Sequence, residues 1–294
     1  MKRREFIKAG GLMGAAALAA GAAGGTGSAQ AADPPAAKIV ENMPKIKLGN
    51  LEVSRFILGS NPFWGYSHKN PELDKQMREF HTDERIAKIL DEAASCGVTA
   101  MASPPDARWV DLYTKYLAGG GKLRLWIGQC HGPPENMEKE IDTAAKGGAK
   151  AIFIQGHRVE EQFDKGKWDV LKAWLERIRG HGLPAGLAAH YPEIHLEAEK
   201  RKLPTDFYYQ CFYNVTKSGD WSERERALAV ETILKIEKPV IAYKVLGAGR
   251  LQAKPALEFA FEKIRRKDGV CIGIFSGNAI DQIRENAILT EMLT

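Results

Sequence analysis

Short apolar runs alternate with longer amphipathic stretches over most of this chain. Each run is long enough for a buried strand, and the intervening stretches carry apolar residues at helical spacing. Strands separated by helices pair in parallel, and eight such units close a sheet into a barrel. The pattern predicts an α/β protein with a (β/α)8 TIM barrel, and an open doubly wound sheet is the alternative. The predicted strands are residues 56–58, 98–101, 123–127, 151–154, 185–188, 207–210, 240–243 and 270–274.

Two local signals set details of this fold. Gly49-Asn50 lies between two apolar runs, residues 45–48 and 51–53, and such a pair is typical of a two-residue hairpin turn. We therefore expect a β-hairpin before the barrel. Thr82 precedes a stretch with helical periodicity and predicts the N-cap of a helix over residues 83–95.

The first residues have the features of an export signal. Lys2-Arg3-Arg4-Glu5-Phe6-Ile7-Lys8 resembles a twin-arginine motif, a Gly/Ala-rich stretch follows, and Ala29-Gln30-Ala31 is a small-residue cleavage site. The segment is too poor in large apolar residues to favour the alternative, a membrane anchor. We predict a signal peptide over residues 1–31, a tether over 32–44 and the barrel over 45–294. The expected location is the periplasm or the extracellular space, without membrane association after cleavage.

The charge and the cysteines exclude some classes of function. The formal net charge is +5, of which the leader carries three units through four basic residues and one acidic residue. The small remaining charge favours no nucleic-acid partner and no membrane surface. The four cysteines are scattered and three lie in or beside predicted strands, so we expect free thiols. The expected partner is a small-molecule substrate, and the oligomeric state is left open.

Six segments, in order, carry a family resemblance. They are residues 48–59 (LGNLEVSRFILG), 153–158 (FIQGHR), 210–214 (QCFYN), 242–251 (AYKVLGAGRL), 276–278 (SGN) and 284–286 (REN). Together they resemble the aldo/keto reductase superfamily. The resemblance implies a (β/α)8 barrel and, for typical members, reduction of a carbonyl by a nicotinamide cofactor.

The catalytic residues of that family are largely missing here. Its members use an aspartate, a tyrosine, a lysine and a histidine. The corresponding positions hold Ala-Ser at 102–103, Asp-Ala-Arg at 106–108 and Gln-Cys at 129–130, and only His157 matches. Without the proton-donating tyrosine and its lysine, reduction by this route is not expected.

The resemblance also implies a cofactor site. It places a nucleotide phosphate on Ser276, Gly277 and Asn278, but Asp281 stands where a cationic neighbour of a 2′-phosphate is needed. The alternative is that Gly277 forms the turn and Asn278 caps the last helix. The cofactor is therefore left open: NADP is disfavoured, and a divalent metal is considered below.

Polar residues follow the predicted strands, and in such barrels the active site lies at the C-terminal ends of the strands. His131, His157 and His190 follow three consecutive strands and are candidate catalytic residues. Three imidazoles could also hold a divalent metal with one position open, or each could bond a neighbouring loop. Lys244 lies in an apolar run, where a lysine is costly unless paired. It could stabilise an oxyanion, form a Schiff base or pair with a carboxylate.

Further residues at the strand ends are candidates for substrate binding. Trp64 and Tyr66 lie in an aromatic loop that could cover a sugar ring, or pack against the barrel rim. The complete predicted set is Asn61, Trp64, Tyr66, Asp106, Gln129, Gln155, Gln210 and Asn214.

These observations favour an exported enzyme with non-redox chemistry. We expect acid/base catalysis, with or without a metal, by a lyase, isomerase or hydrolase that acts on a small carbonyl or sugar-like substrate. A divergent NADP-dependent reductase is the first alternative, disfavoured because free nicotinamide is scarce outside the cytoplasm. A barrel that binds a ligand without chemistry is the second.

Overall fold

The computed structural model describes residues 40–213, 223–275 and 279–294. They form a closed barrel of eight parallel strands, preceded by an antiparallel hairpin. The predicted TIM barrel and hairpin are confirmed, and the open doubly wound sheet is wrong because the last strand pairs with the first. The predicted signal peptide and most of the predicted tether lie outside the described residues, so those boundaries stay predictions.

The strands lie close to their predicted positions. Two of them begin two residues late, because Val98 and Leu123 are buried in the preceding connections without joining the sheet. The hairpin strands are β1 (Lys45–Leu48) and β2 (Leu51–Ser54), with Leu48 opposite Leu51. The barrel strands are β3 (Phe56–Gly59), β4 (Ala100–Ser103), β5 (Leu125–Cys130), β6 (Ala151–Ile154), β7 (Ala185–Ala189), β8 (Phe207–Cys211), β9 (Val240–Tyr243) and β10 (Gly269–Gly273).

Helices surround the barrel and bury their apolar faces against it. The second helix begins at Asp83 as predicted, where the hydroxyl oxygen of Thr82 accepts the backbone N–H of Arg85. Among the described helices, none has both the length and the apolar character needed to cross a membrane. The helices are α1 (Pro71–Phe80), α2 (Asp83–Ser95), α3 (Ala107–Ala118), α4 (Met137–Lys146), α5 (Gly156–Asp164), α6 (Trp168–Gly180), α7 (Glu193–Lys200), α8 (Glu223–Lys235), α9 (Ala253–Lys263) and α10 (Ala279–Met292).

Side chains from alternate strand positions fill the barrel interior. Small residues such as Ala100 and Ala151 leave room for large ones such as Phe207. Gly186 is required beside Phe207, since a β-carbon there would lie 2.4 Å from the ring. The hairpin contributes Ile46, Leu48 and Val53 to the same buried cluster. The four cysteines are free thiols, as expected: Cys96, Cys130, Cys211 and Cys271.

Candidate active site

A cavity of about 1030 Å³ lies at the C-terminal ends of the barrel strands. Apolar residues from the barrel interior contribute to its wall, including Phe153 and Tyr209, whose rings stack at 4.1 Å between centroids. The cavity contains most of the polar residues predicted for the site. They are Asn61, Tyr66, Gln129, His131, Gln155, His157, His190 and Lys244.

His190 and Glu160 form the most buried acid–imidazole pair of this cavity. His190 follows β7, Glu160 lies in α5, and their side chains are 12% and 9% exposed. Oε1 of Glu160 lies 2.9 Å from Nδ1 of His190 and also accepts the backbone N–H of His190 at 2.7 Å. Burial by itself would raise the pKa of Glu160, but the hydrogen bonds from His190 outweigh burial and lower that pKa.

This contact fixes the tautomer of the imidazole. A carboxylate only accepts hydrogen bonds, so Nδ1 of His190 carries the proton that it donates to Glu160. In the neutral ring, Nε2 is then the basic nitrogen. Gly156 allows this arrangement, because a β-carbon there would lie 3.2 Å from Nδ1 of His190.

Lys244 completes a three-residue arrangement with Glu160 and His190. Its Nζ lies 3.4 Å from Nε2 of His190, and burial lowers the pKa of its ammonium group. The backbone at Lys244 has a φ of +55°, a left-handed conformation that lysine seldom adopts. Strain of this kind is held by the surrounding fold and clusters at functional sites. The left-handed residue changes the direction of the backbone at the point where β9 ends beside the cavity.

His68, in the loop after β3, also lines the cavity. Its Nε2 is 3.4 Å from Nδ2 of Asn61. Burial, followed by the positive charges of Lys244 and His190, lowers the pKa of His68 to about 4. His68 is therefore a neutral ring at pH 7, and its backbone φ of +55° is also left-handed.

His131, which lines the cavity at the C-terminal ends of the strands, forms a second acid–imidazole pair. Its Nδ1 lies 3.0 Å from Oε1 of Glu140, and its backbone N–H donates to Oε2 of the same carboxylate. The contact with Glu140 raises the pKa of His131. The His131 side chain is 40% exposed, so this pair is far better solvated than the pair of His190 and Glu160.

The three predicted histidines do not assemble a metal centre. His131 is engaged by Glu140, His190 is engaged by Glu160, and His157 is exposed at the first turn of α5. Within residues 40–213, 223–275 and 279–294, no three His, Cys, Asp or Glu side chains are grouped to hold an ion. The strand ends bring the three histidines to the rim of one cavity without grouping them around a common point in the described residues.

Three residues predicted to bind substrate have structural contacts instead and do not line the cavity. Nε1 of Trp64 lies 3.4 Å from the hydroxyl of Ser103, which packs the indole at the rim. Asp106 caps α3 by accepting the backbone N–H of Trp109. Gln210 points out of the barrel, and its side-chain amide donates to the carbonyl of Cys211. Asn214 and the predicted phosphate site, Ser276, Gly277 and Asn278, lie outside the described residues.

Glu160 and His68 are the site residues that the sequence pattern missed. Glu160 lies inside a helix, three residues after His157, and not directly after a strand. The available signal was its helical spacing, which places residues 156 and 160 on one face of the first turns of α5. His68 lies in the same loop as Trp64 and Tyr66, and nothing in its spacing indicated a contact with Asn61.

Two positions where the resemblance expects catalytic residues of a reductase also line the cavity. Ala102 and Gln129, which stand where the resemblance expects the aspartate and the lysine, both line the cavity. A methyl group and an amide cannot supply the acid and the ammonium of that chemistry.

No family model and no curated protein matches the chain. Among solved structures, it is similar to two described as putative aldo-keto reductases from Pseudomonas aeruginosa. The first has a TM-score of 0.62 at 14% identity, covering 87% of this chain and 98% of that one. The second has a TM-score of 0.58 at 16% identity, covering 85% and 94%.

A third similar structure is described as a different kind of enzyme. It is a truncated 3-deoxy-D-arabino-heptulosonate 7-phosphate synthase from Thermotoga maritima, with a TM-score of 0.54 at 12% identity, covering 85% of this chain and 91% of that one. At these identities the similarities establish the barrel fold. The fold by itself does not determine the chemistry, which depends on the residues that line the cavity.

Proposed function

We propose that this protein is an enzyme that moves a proton on a small carbonyl or sugar-like substrate without net oxidation or reduction. The observation that carries the proposal is the chain of contacts from Glu160 through His190 to Lys244. A buried carboxylate that orients an imidazole toward a cavity is the usual construction of a general acid/base. An enzyme of the isomerase or lyase type needs such a group.

The contacts support a specific division of labour. A proton on the carbon next to a carbonyl would pass to Nε2 of His190, while the electron pair moves onto the carbonyl oxygen. A positive charge on Nζ of Lys244, as an ammonium or a protonated imine 3.4 Å from that nitrogen, would stabilise the developing negative charge. Return of the proton to a neighbouring atom completes an isomerisation, and Glu160 stays ionised to balance the transient imidazolium.

The cavity supports a small, partly polar substrate. Its apolar wall around Phe153 excludes water from one side, and the amides of Gln129 and Gln155 can donate to and accept from hydroxyl groups. Cavities of this size take molecules up to the size of a drug, with few polar groups to set orientation. A short hydroxyketone or aldose fits that description.

Deuterium exchange tests this proposal. The purified barrel would be incubated in D2O with a panel of hydroxyketones, aldoses and ketoacids, and NMR would report loss of carbon-bound protons. We expect exchange with at least one compound and its loss in His190→Asn, with unchanged circular dichroism. Exchange that is equal in the two proteins, or absent for every compound, would contradict the proposal.

The location of the protein is a separate proposal. We infer from Arg3, Arg4 and the Ala29-Gln30-Ala31 site that the chain is exported folded and cleaved. Replacing both arginines by lysine should leave the uncut protein in the cytoplasm. Mature protein outside the cytoplasm from that variant would contradict the proposal. An uncut leader on the protein with both arginines intact would also contradict it.

A further inference from the structure

We propose that Lys244 forms a Schiff base with the carbonyl carbon of the substrate, assisted by His190. This inference rests on the proposed function, because it assumes a carbonyl substrate. It deepens that function by naming an aldehyde or ketone as the reacting group and Nζ of Lys244 as the nucleophile.

The surroundings of Lys244 differ from those of the structural lysines. Lys238, for example, lies 2.7 Å from a carboxylate oxygen of Glu199, which keeps an ammonium charged. In the described part of the chain, no carboxylate lies within ion-pair distance of Nζ of Lys244. Its polar neighbour is instead Nε2 of His190, a nitrogen that accepts a proton.

Burial acts in the same direction. Desolvation lowers the pKa of Lys244, although Cys211, Glu160 and Glu225 partly oppose this effect. A less solvated amine is neutral for a larger fraction of time at pH 7, and the neutral amine is the nucleophile. The ammonium of Lys244 can lose its proton to Nε2 of His190, and Glu160 then balances the imidazolium.

The backbone explains why the amine reaches the cavity. With φ at +55°, Lys244 turns away from the direction of β9, and it lines the cavity next to Val245. The surrounding fold therefore holds a strained residue at the point where this lysine lines the cavity.

The reaction balances without a redox partner. The neutral amine of Lys244 attacks the carbonyl carbon to give a carbinolamine. A proton from His190 then goes to the carbinolamine oxygen, which leaves as water while the C=N bond forms. The amine and the carbonyl give an imine and one water molecule, and the protonated imine withdraws electrons from the neighbouring carbon more strongly than the carbonyl does.

Reductive trapping tests the assignment. The protein would be incubated with dihydroxyacetone or glycolaldehyde and sodium cyanoborohydride, and peptide mass spectrometry would measure the adduct at each lysine. We expect Lys244 to be modified well ahead of Lys172 and Lys238, and Lys244→Arg to lose that adduct while melting near the wild-type temperature. His190→Asn should slow trapping at Lys244 on the order of tenfold or more.

The two proposals fail in different ways. Modification of Lys244 no faster than of exposed Lys172, with intact folding, overturns the Schiff base. If deuterium exchange persists in Lys244→Arg and no adduct forms at Lys244, the acid/base function stands and the Schiff base falls. If the adduct forms but no substrate exchanges deuterium, the Schiff base stands and the proposed function falls.

Discussion

One carboxylate oxygen of Glu160 holds His190 at two points, the ring Nδ1 at 2.9 Å and the backbone N–H at 2.7 Å. The double contact fixes the position of the residue as well as the orientation of its ring. Because both groups are nearly buried, water competes little for these bonds. The ring is thus held with its basic nitrogen toward Lys244.

Glu160→Gln should lower the rate of deuterium exchange on the order of 100-fold, because a neutral amide cannot balance the imidazolium that forms during proton transfer. The measurement is kcat/KM for exchange with the best compound of the panel. Glu140→Gln is the matched control, since Glu140 also contacts both the ring and the backbone N–H of a histidine, His131, in a more exposed setting. Equal losses in both variants would contradict a special role for Glu160.

The sequence predicted the fold well because the fold depends on a repeated pattern. Eight apolar runs separated by amphipathic stretches allow few arrangements, and errors of two residues, as at Val98, do not change the topology. The hairpin turn at Gly49-Asn50 and the cap at Thr82 were predictable for a local reason, since each depends on adjacent residues alone.

The site was harder to predict because it depends on directions of side chains. Gln210 follows Tyr209, which points into the barrel, so the alternation of a strand turns Gln210 outward. Glu160 reaches His190 across 30 positions of sequence, and no local pattern reports such a contact. His190 and Lys244 could be predicted because they directly follow strands.

Replacing Lys244 by asparagine should cost no stability. Asparagine tolerates the left-handed conformation better than lysine does, and the change removes a buried ammonium. We expect the unfolding free energy from urea titration to be equal to that of wild type or higher by about 1 kcal/mol. Lys238→Asn, which loses the contact with Glu199, should lower it. A clear loss of stability in Lys244→Asn would show that Lys244 stabilises the fold.

Acidification should destabilise the fold through His195. This residue is fully buried, its Nε2 lies 3.1 Å from the carbonyl of Tyr209, and burial lowers its pKa from 6.5 to about 4. Between these two pKa values, His195 binds a proton in the unfolded chain but not in the folded chain. The unfolding free energy should therefore fall as the pH drops from 6.5 to 4, by up to about 3 kcal/mol from this group.

The control for this effect is His195→Gln, which keeps an amide donor for the carbonyl of Tyr209 but does not titrate. Urea titrations at several pH values would give the slope of stability against pH for each protein. We expect a shallower slope in the variant over that window. Identical slopes would mean that His195 does not contribute to acid sensitivity.

Nicotinamide oxidation should be negligible. Ala102 and Gln129 lie in the cavity where the resemblance expects the aspartate and the lysine, and residues 106–108 hold no tyrosine, so the proton-donating group of that family is missing. The measurement is the loss of NADPH or NADH absorbance with common aldehydes. Turnover in the range of ordinary enzymes, roughly 1 to 1000 per second, would contradict this prediction and favour the reductase alternative.

Chemical rescue of His190→Ala by imidazole tests whether His190 carries the proton. The variant leaves Glu160 and Lys244 in place around the space of the missing ring, so added imidazole can bind there and carry the proton. We predict that deuterium exchange falls on the order of 100-fold or more in His190→Ala and rises with imidazole to a plateau. His131→Ala should exchange deuterium near the wild-type rate, and added imidazole should not change that rate. A His190→Ala protein that folds and exchanges at the wild-type rate would contradict the account.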